Sequence, residues 1–94
     1  MTYPSDHKFQ LKVEDVVWRE VEDELIVLEL PTSTYVTLNG TAKQLWEALV
    51  SGATIDALVE LLVQCYGITS EEARADAESF LSALSARSLL IGDA

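Results

Sequence analysis

The 94-residue sequence is poor in the groups that carry out chemistry. It has one histidine, His7, and one cysteine, Cys65. A Cys/His metal site needs more ligands than that, so no metal is expected. A single thiol cannot close an internal disulfide, and a chain without disulfides fits a reducing compartment. Cys65 falls in an apolar helical stretch and reads as a buried small hydrophobe. Only four glycines are present, and none builds a phosphate-cradling loop. No apolar run approaches the ~20 residues that span a bilayer. Residues 1–10 are polar and lack a signal-peptide core, so the expected location is cytoplasmic. Cations are scarce as well: six Lys and Arg face sixteen Asp and Glu, for a net charge of −10. That excludes nucleic acid, whose phosphates need Lys and Arg. It also excludes an anionic membrane surface. It favours solubility, or a partner that is basic or neutral.

What is abundant is apolar surface, 49% of residues, enough for one folded domain. A chain this short has little core to spare for a deep pocket. Pro4, Ser5 and Asp6 discourage regular structure, so residues 1–15 read as a flexible lead-in and 16–94 as a single domain. Val16–Val21 (VVWREV) reads as a strand, Glu22-Asp23 as a turn, and residues 25–30 (LIVLEL) as a second strand. The nearly continuous apolar run of that second strand predicts at least partial cover on both faces. After Pro31-Thr32-Ser33, Thr34–Leu38 (TYVTL) is a third strand, completing an antiparallel meander.

The remainder reads as helix. Thr41-Ala42-Lys43-Gln44 fits a capping box, followed by a stripe of Ala42, Leu45, Trp46, Leu49 and Val50. Leu45 and Trp46 are core residues on this reading. Thr54 caps a second helix with the stripe Ile55, Leu58, Val59, Leu62 and Tyr66, and Gly67 stands at its C-terminal end. Thr69-Ser70-Glu71-Glu72 is another capping box, with acids where the helix dipole favours them. The third helix carries Ala73, Ala77, Phe80, Leu81 and Leu84. Leu89-Leu90-Ile91 forms an apolar tail. The predicted fold class is α+β: a three-stranded antiparallel sheet followed by three helices, winged helix-turn-helix-like.

The carboxylates lie at helical spacing on polar faces, which describes a solvated acidic surface. No catalytic residue and no cofactor is expected, and the chain reads as a binding module. DNA binding through the helix-turn-helix is excluded by charge. Its recognition helix would present Glu71, Glu72, Asp76 and Glu78 against Arg74 and Arg87.

The order of these pieces resembles the PqqD-like family. "VVWREVEDELIVLELPTSTYVTLNGTAKQLWEAL" has its strand pair, an aromatic-containing third strand, and "LN" followed by a small residue and an apolar helix. "GATIDALVELLVQCYGITSEEARADAESFLSALSARSLL" continues with a Gly-x-Thr helix start, a Tyr-Gly break, an acid–apolar helix and a terminal "LL". The resemblance covers roughly residues 16 to 91. It implies a recognition element for ribosomally synthesised, post-translationally modified peptides, which binds the leader of a precursor and delivers it to a maturation enzyme. In size and layout the chain is most similar to free-standing leader-binding proteins of lasso-peptide pathways, which implies a cysteine-protease leader peptidase as partner. PqqD proper, serving a radical SAM enzyme, is the alternative.

The resemblance further implies that a leader adds as a strand to the edge of Thr34, Tyr35, Val36, Thr37 and Leu38. Backbone hydrogen bonds would give affinity and side-chain pockets specificity. The other wall of the groove would be Arg74, Ala77, Phe80, Leu81 and Leu84, with small Ala77 leaving room for a leader side chain. Phe80, Leu81 and Leu84 serve equally well as plain core, and Tyr35 either meets the peptide or covers the sheet. Trp18 is either core or enzyme-facing. Arg74 either pairs with Glu71 or Glu78 on its own helix or fixes a leader carboxylate. Thr34–Leu38 has none of the charge or proline that blunts free edges. The competing use of such an edge is a homodimer.

Overall fold

A computed structural model describes residues 7–91. The chain runs β1 (Lys8–Phe9), a 3-10 turn (Val13–Asp15), β2 (Val16–Val21), β3 (Glu24–Glu29), β4 (Thr34–Leu38), α1 (Gly40–Ser51), β5 (Ala53–Thr54), α2 (Ile55–Tyr66) and α3 (Ser70–Ala86). The three-stranded antiparallel sheet has the order β2-β3-β4, and β1 pairs with β5 in a two-stranded clip. The α+β fold with a meander and three helices is the one expected from the sequence.

The meander is set by its turns. Val21 and Glu24 pair across a two-residue loop in which Glu22 takes φ +58°. Positive φ at the first loop position matches the twist of the flanking strands. β3 then pairs Leu25 with Leu38, Val27 with Val36 and Glu29 with Thr34. Leu25, Val27 and Glu29 are buried on the inner face, whereas Ile26 is exposed and Leu28 half-buried on the outer. β3 is therefore covered on one face. A strand whose inner and outer positions are both aliphatic cannot declare its exposed side by pattern.

Two of the three helix starts follow the capping grammar. The Thr54 hydroxyl accepts from the Ala57 N–H at 3.1 Å, and the Thr69 hydroxyl accepts from the Glu72 N–H at 3.1 Å. Gly67, at φ +65°, closes α2 in the left-handed region, with its N–H on the Val63 carbonyl at 2.9 Å. The first helix differs. It begins at Gly40, with extended Asn39 at the cap position and no side-chain cap bond, so Thr41 and Gln44 form no capping box. Gly40 sits at φ +55° with open space where a Cβ would lie, so its need is conformational rather than steric. It lets β4 turn into α1 with a single residue between them.

Leu45, Trp46 and Leu49 of α1, Leu58, Val59 and Leu62 of α2, and Ala73, Ala77, Leu81 and Leu84 of α3 are buried with Val16, Leu25 and Val27 of the sheet. Trp18 packs edge-on against Trp46, ring centroids 5.7 Å apart, which makes it a wall of this core. α2 runs one turn past the core, leaving Gln64, Cys65 and Tyr66 exposed. The buried place expected for Cys65 is thus corrected.

The lead-in also differs from expectation. Residues 1–6 lie outside the described residues, but residues 7–15 are built into the fold. Lys8 and Phe9 pair with Thr54 and Ala53, and Phe9 is buried. Leu11 is fully buried, with its N–H on the Leu49 carbonyl at 3.0 Å. The Lys12 N–H reaches the Leu89 carbonyl at 2.8 Å, and the Ile91 N–H reaches Gln10 at 2.8 Å. This segment straps the end of α1 to the C-terminal tail.

Among the described residues, ion pairs join elements at Lys43 with Glu20, Arg74 with Asp56, and Arg87 with Glu29. The hydrogen bond to Glu20 raises the Lys43 pKa above its ordinary value, partial burial opposes this, and the charges of Glu20, Glu47 and Asp23 add to it. A raised folded value means the pair stabilises fully below the unfolded pKa of ~10.4 and is lost as pH climbs through the folded value. The melting-temperature difference between the protein and Lys43→Gln should therefore be flat from pH 7 to about 10 and close above it. A gap that opens with alkali would refute this role for the pair.

Candidate functional site

The direction of each backbone group on β4 follows from the first hairpin. Val21 and Glu24 close a two-residue turn, so they exchange both hydrogen bonds. Antiparallel ladders alternate, so Arg19–Ile26 and Val17–Leu28 are hydrogen-bonded pairs too. The backbone of Leu25, Val27 and Glu29 then points the other way, towards β4. Thr34, Val36 and Leu38 spend their N–H and C=O groups on β3. The groups of Tyr35 and Thr37 therefore point away from β3, out from the sheet.

The side chains of this edge divide by face. Thr34, Val36 and Leu38 lie on the inner face with the helices, where Val36 and Leu38 are half-buried. Tyr35, 71% exposed, and Thr37 lie on the outer face. The C-terminal end of α3 reaches this face through Arg87, the residue after the helix, which continues the helical stripe of Phe80 and Leu84 at i, i+4 and i+7. Arg87 reaches Glu29, which stands directly opposite Thr34. Phe80 is half-buried against the core.

Not every residue expected at this groove is brought to it. Ala77, Leu81 and Leu84 are buried in the core, so the space foreseen beside Ala77 is already filled. Arg74 pairs with Asp56 at the start of α2, at 2.8 Å, and not with Glu71 or Glu78. It stands 13 residues before Arg87, which is ~20 Å along a helix at 1.5 Å per residue. What the structure does bring to the edge is half-buried Val36 and Leu38 on its inner face, and Arg87, held on Glu29 opposite Thr34.

Two features were missed. The first is the outer face of the sheet: Val17, Val21, Ile26, Leu28 and Tyr35 surround an open depression of about 330 Å³ with Arg19 on its rim. Four of these large hydrophobics are exposed, Val17 by 55%. The second is Arg87, which reads from sequence as one more surface charge. Among the described residues, no group of three His, Cys, Asp or Glu side chains is placed to hold a metal, and no helix is long and apolar enough to cross a membrane.

The other free edge, β2, carries Arg19 and Glu20. Glu20 is tied to Lys43. Charge of this kind blunts an edge against added strands. β4 has no such guard, so the two edges are not equivalent.

The family described as coenzyme PQQ synthesis protein D (PqqD) matches residues 24–90 of the chain. Two solved structures share its fold. One, TbiB1 in complex with the TbiA(beta) leader peptide, is 28% identical with a TM-score of 0.80, and the alignment covers 90% of this chain and 98% of that one. The other, a lasso peptide synthetase B1 complexed with the leader peptide, is 18% identical with a TM-score of 0.76, covering 88% and 96%. No curated protein matches.

Proposed function

The chain belongs to the PqqD family, and from that premise we propose that it is a non-catalytic recognition element that binds the leader segment of a ribosomally synthesised precursor peptide. The observation that carries this reading is the β4 edge. Tyr35 and Thr37 offer four outward backbone groups on an uncharged strand, with half-buried Val36 and Leu38 on its inner face, an apolar ring that we infer Phe80 of α3 completes. An extended peptide added there gains main-chain hydrogen bonds and seats alternate side chains against that ring. The two fold neighbours are both complexes with leader peptides, which supports the same ligand class here.

We place the work in lasso-peptide maturation, in the cytoplasm, with a leader peptidase as the enzyme served. The alternative is a PqqD-type carrier for a radical SAM enzyme. A homodimer through β4 is disfavoured because each copy carries a charge of −10. The test is titration of a fluorescently labelled leader, taken from the precursor gene beside this one, into the purified protein. Saturable 1:1 binding is expected. No binding, together with a mass that doubles with concentration, would replace this reading with the homodimer.

Presentation requires a second surface, and the outer sheet face is suited to it. It is apolar, and it is continuous with the edge through Tyr35 and Thr37. Ile26→Asp and Val17→Asp change exposed side chains and should shift stability by only ~0.5 kcal/mol. Leader affinity is expected to stay within about threefold, while leader removal by the neighbouring peptidase slows by about tenfold or more, as for loss of an interface hot spot. Unchanged cleavage by both variants would remove this face from the enzyme contact.

A further inference from the structure

We infer that Arg87 reads a carboxylate on the docked peptide and thereby fixes the register in which the peptide lies along β4. This rests on the leader-binding reading above and adds the chemistry that one position of the ligand must have.

Arg87 caps the C-terminal end of α3, with its N–H on the Leu84 carbonyl at 3.1 Å, and Ser88, at φ +59°, donates its N–H to the Ser85 carbonyl at 2.9 Å. Its guanidinium binds the carboxylate of Glu29 on the inner face of the sheet. Glu29 is only 4% exposed, the one buried charged side chain among the described residues. A buried carboxylate cannot exchange its partner for water without a large cost, so it holds the guanidinium in place. Yet the Arg87 side chain itself is 46% exposed. A guanidinium has five N–H donors in a planar fork, and one carboxylate can take two. That leaves donors to spare on a half-exposed guanidinium whose partner, Glu29, stands opposite Thr34.

A strand added to β4 would lie ~4.8 Å beyond it. Residues paired opposite Thr34 and Val36 would then point to the inner face, the side on which Glu29 and Arg87 meet. An Asp or Glu opposite Thr34 would point to that side. Elsewhere the chain repels an anion. The edge strand and Phe80 are uncharged, Arg19 lies on the opposite face, Lys43 is 14% exposed and engaged with Glu20, and Arg74 stands ~20 Å along α3 from Arg87. Lys8 and Lys12 belong to the N-terminal strap. A peptide carboxylate therefore has one favourable place along this groove, which makes it a register mark. Backbone pairing alone tolerates slippage by two residues.

The test is a coupling measurement. Each Asp and Glu of the neighbouring precursor's leader is changed in turn to Asn or Gln, and the labelled peptides are titrated into three proteins: the unchanged chain, Arg87→Lys, and the neutral double variant Glu29→Gln/Arg87→Gln. The double variant avoids stranding a buried charge, and circular dichroism with a thermal melt checks its fold. One position is expected to lose about tenfold affinity on amidation with the unchanged protein, and less than twofold with the double variant, in the manner of a close charge pair. Arg87→Lys, which keeps the charge but not the fork, should give an intermediate loss, and it decides alone if the double variant fails to fold. Equal losses in all proteins, or no sensitive position, would overturn the inference. No binding to the unchanged protein would overturn the leader reading with it. Binding that Thr37→Pro abolishes, but that ignores peptide carboxylates, would overturn the role of Arg87 alone.

Discussion

Thr37→Pro is expected to leave the protein folded and to abolish peptide binding, whereas Val36→Pro, one residue away, is expected to break the sheet. The difference lies in the ladder. Val36 pairs with Val27 as a hydrogen-bonded pair, so its N–H belongs to the sheet. Proline there removes a ladder bond and leaves a buried carbonyl on β3 unpaired, for a loss of ~3 kcal/mol or more. The N–H of Thr37 points away from β3, and proline is tolerated on edge strands where the N–H faces solvent. The residue before it, Val36, is already extended, as a pre-proline residue prefers. The docked peptide loses the N–H donor, keeps an unpaired carbonyl of its own, and meets the ring where its backbone must approach. Together these should weaken binding by about 100-fold or more, equivalent to ~3 kcal/mol. Anisotropy titration of the labelled leader, with circular dichroism of both variants, checks the pair. Full affinity in a folded Thr37→Pro would show that the peptide does not add to β4.

Much of the fold was legible because its signals are local. Thr54, Thr69 and Gly67 act through bonds to residues three or four positions away, so the sequence shows donor and acceptor together. The three strands of the meander are separated by short polar turns, and their ends fall within one residue of the expected ones. The edge itself was legible as an absence of charge in Thr34–Leu38. The groove wall was not. Ala77, Phe80, Leu81 and Leu84 all share the apolar stripe of α3, and only the angle at which α3 meets the sheet decides which are sealed in. Ala77, Leu81 and Leu84 are buried and Phe80 is left half-buried. Arg74 and Arg87 likewise look alike in sequence. Their partners, Asp56 and Glu29, lie 18 and 58 residues away, beyond any local rule. The outer sheet face escaped for a related reason: Glu24–Glu29 reads as apolar on both sides, and among the described residues no helix covers the face that bears Ile26.

The strap built by residues 7–15 is where sequence reasoning failed most, and it supports the strongest stability prediction. Its two-residue strand is too short for any periodicity, and polar neighbours disguise its two anchors, Phe9 and Leu11. Leu11 is fully buried between the end of α1 and the C-terminal tail, with its backbone bonded to Leu49 and bridged to Leu90. Leu11→Ala should therefore cost ~2–5 kcal/mol, a core-cavity value, against a total stability of order 5–15 kcal/mol. At ~4–8 °C per kcal/mol for a domain of this size, the melting temperature should fall by about 10 °C or more. Val13→Ala, two residues on and exposed, should move it by only a few degrees. A loose lead-in would make the two variants indistinguishable, so urea or thermal unfolding of both decides the matter. The strap also bears on binding, because Lys12 bonds the Leu89 carbonyl just past Arg87 and Ser88. Loosening it frees the end of α3 that stands over the Thr34 end of the edge. Leu11→Ala should thus weaken leader binding as well, by less than Thr37→Pro, and any acid-dependent part of the affinity should be lost first.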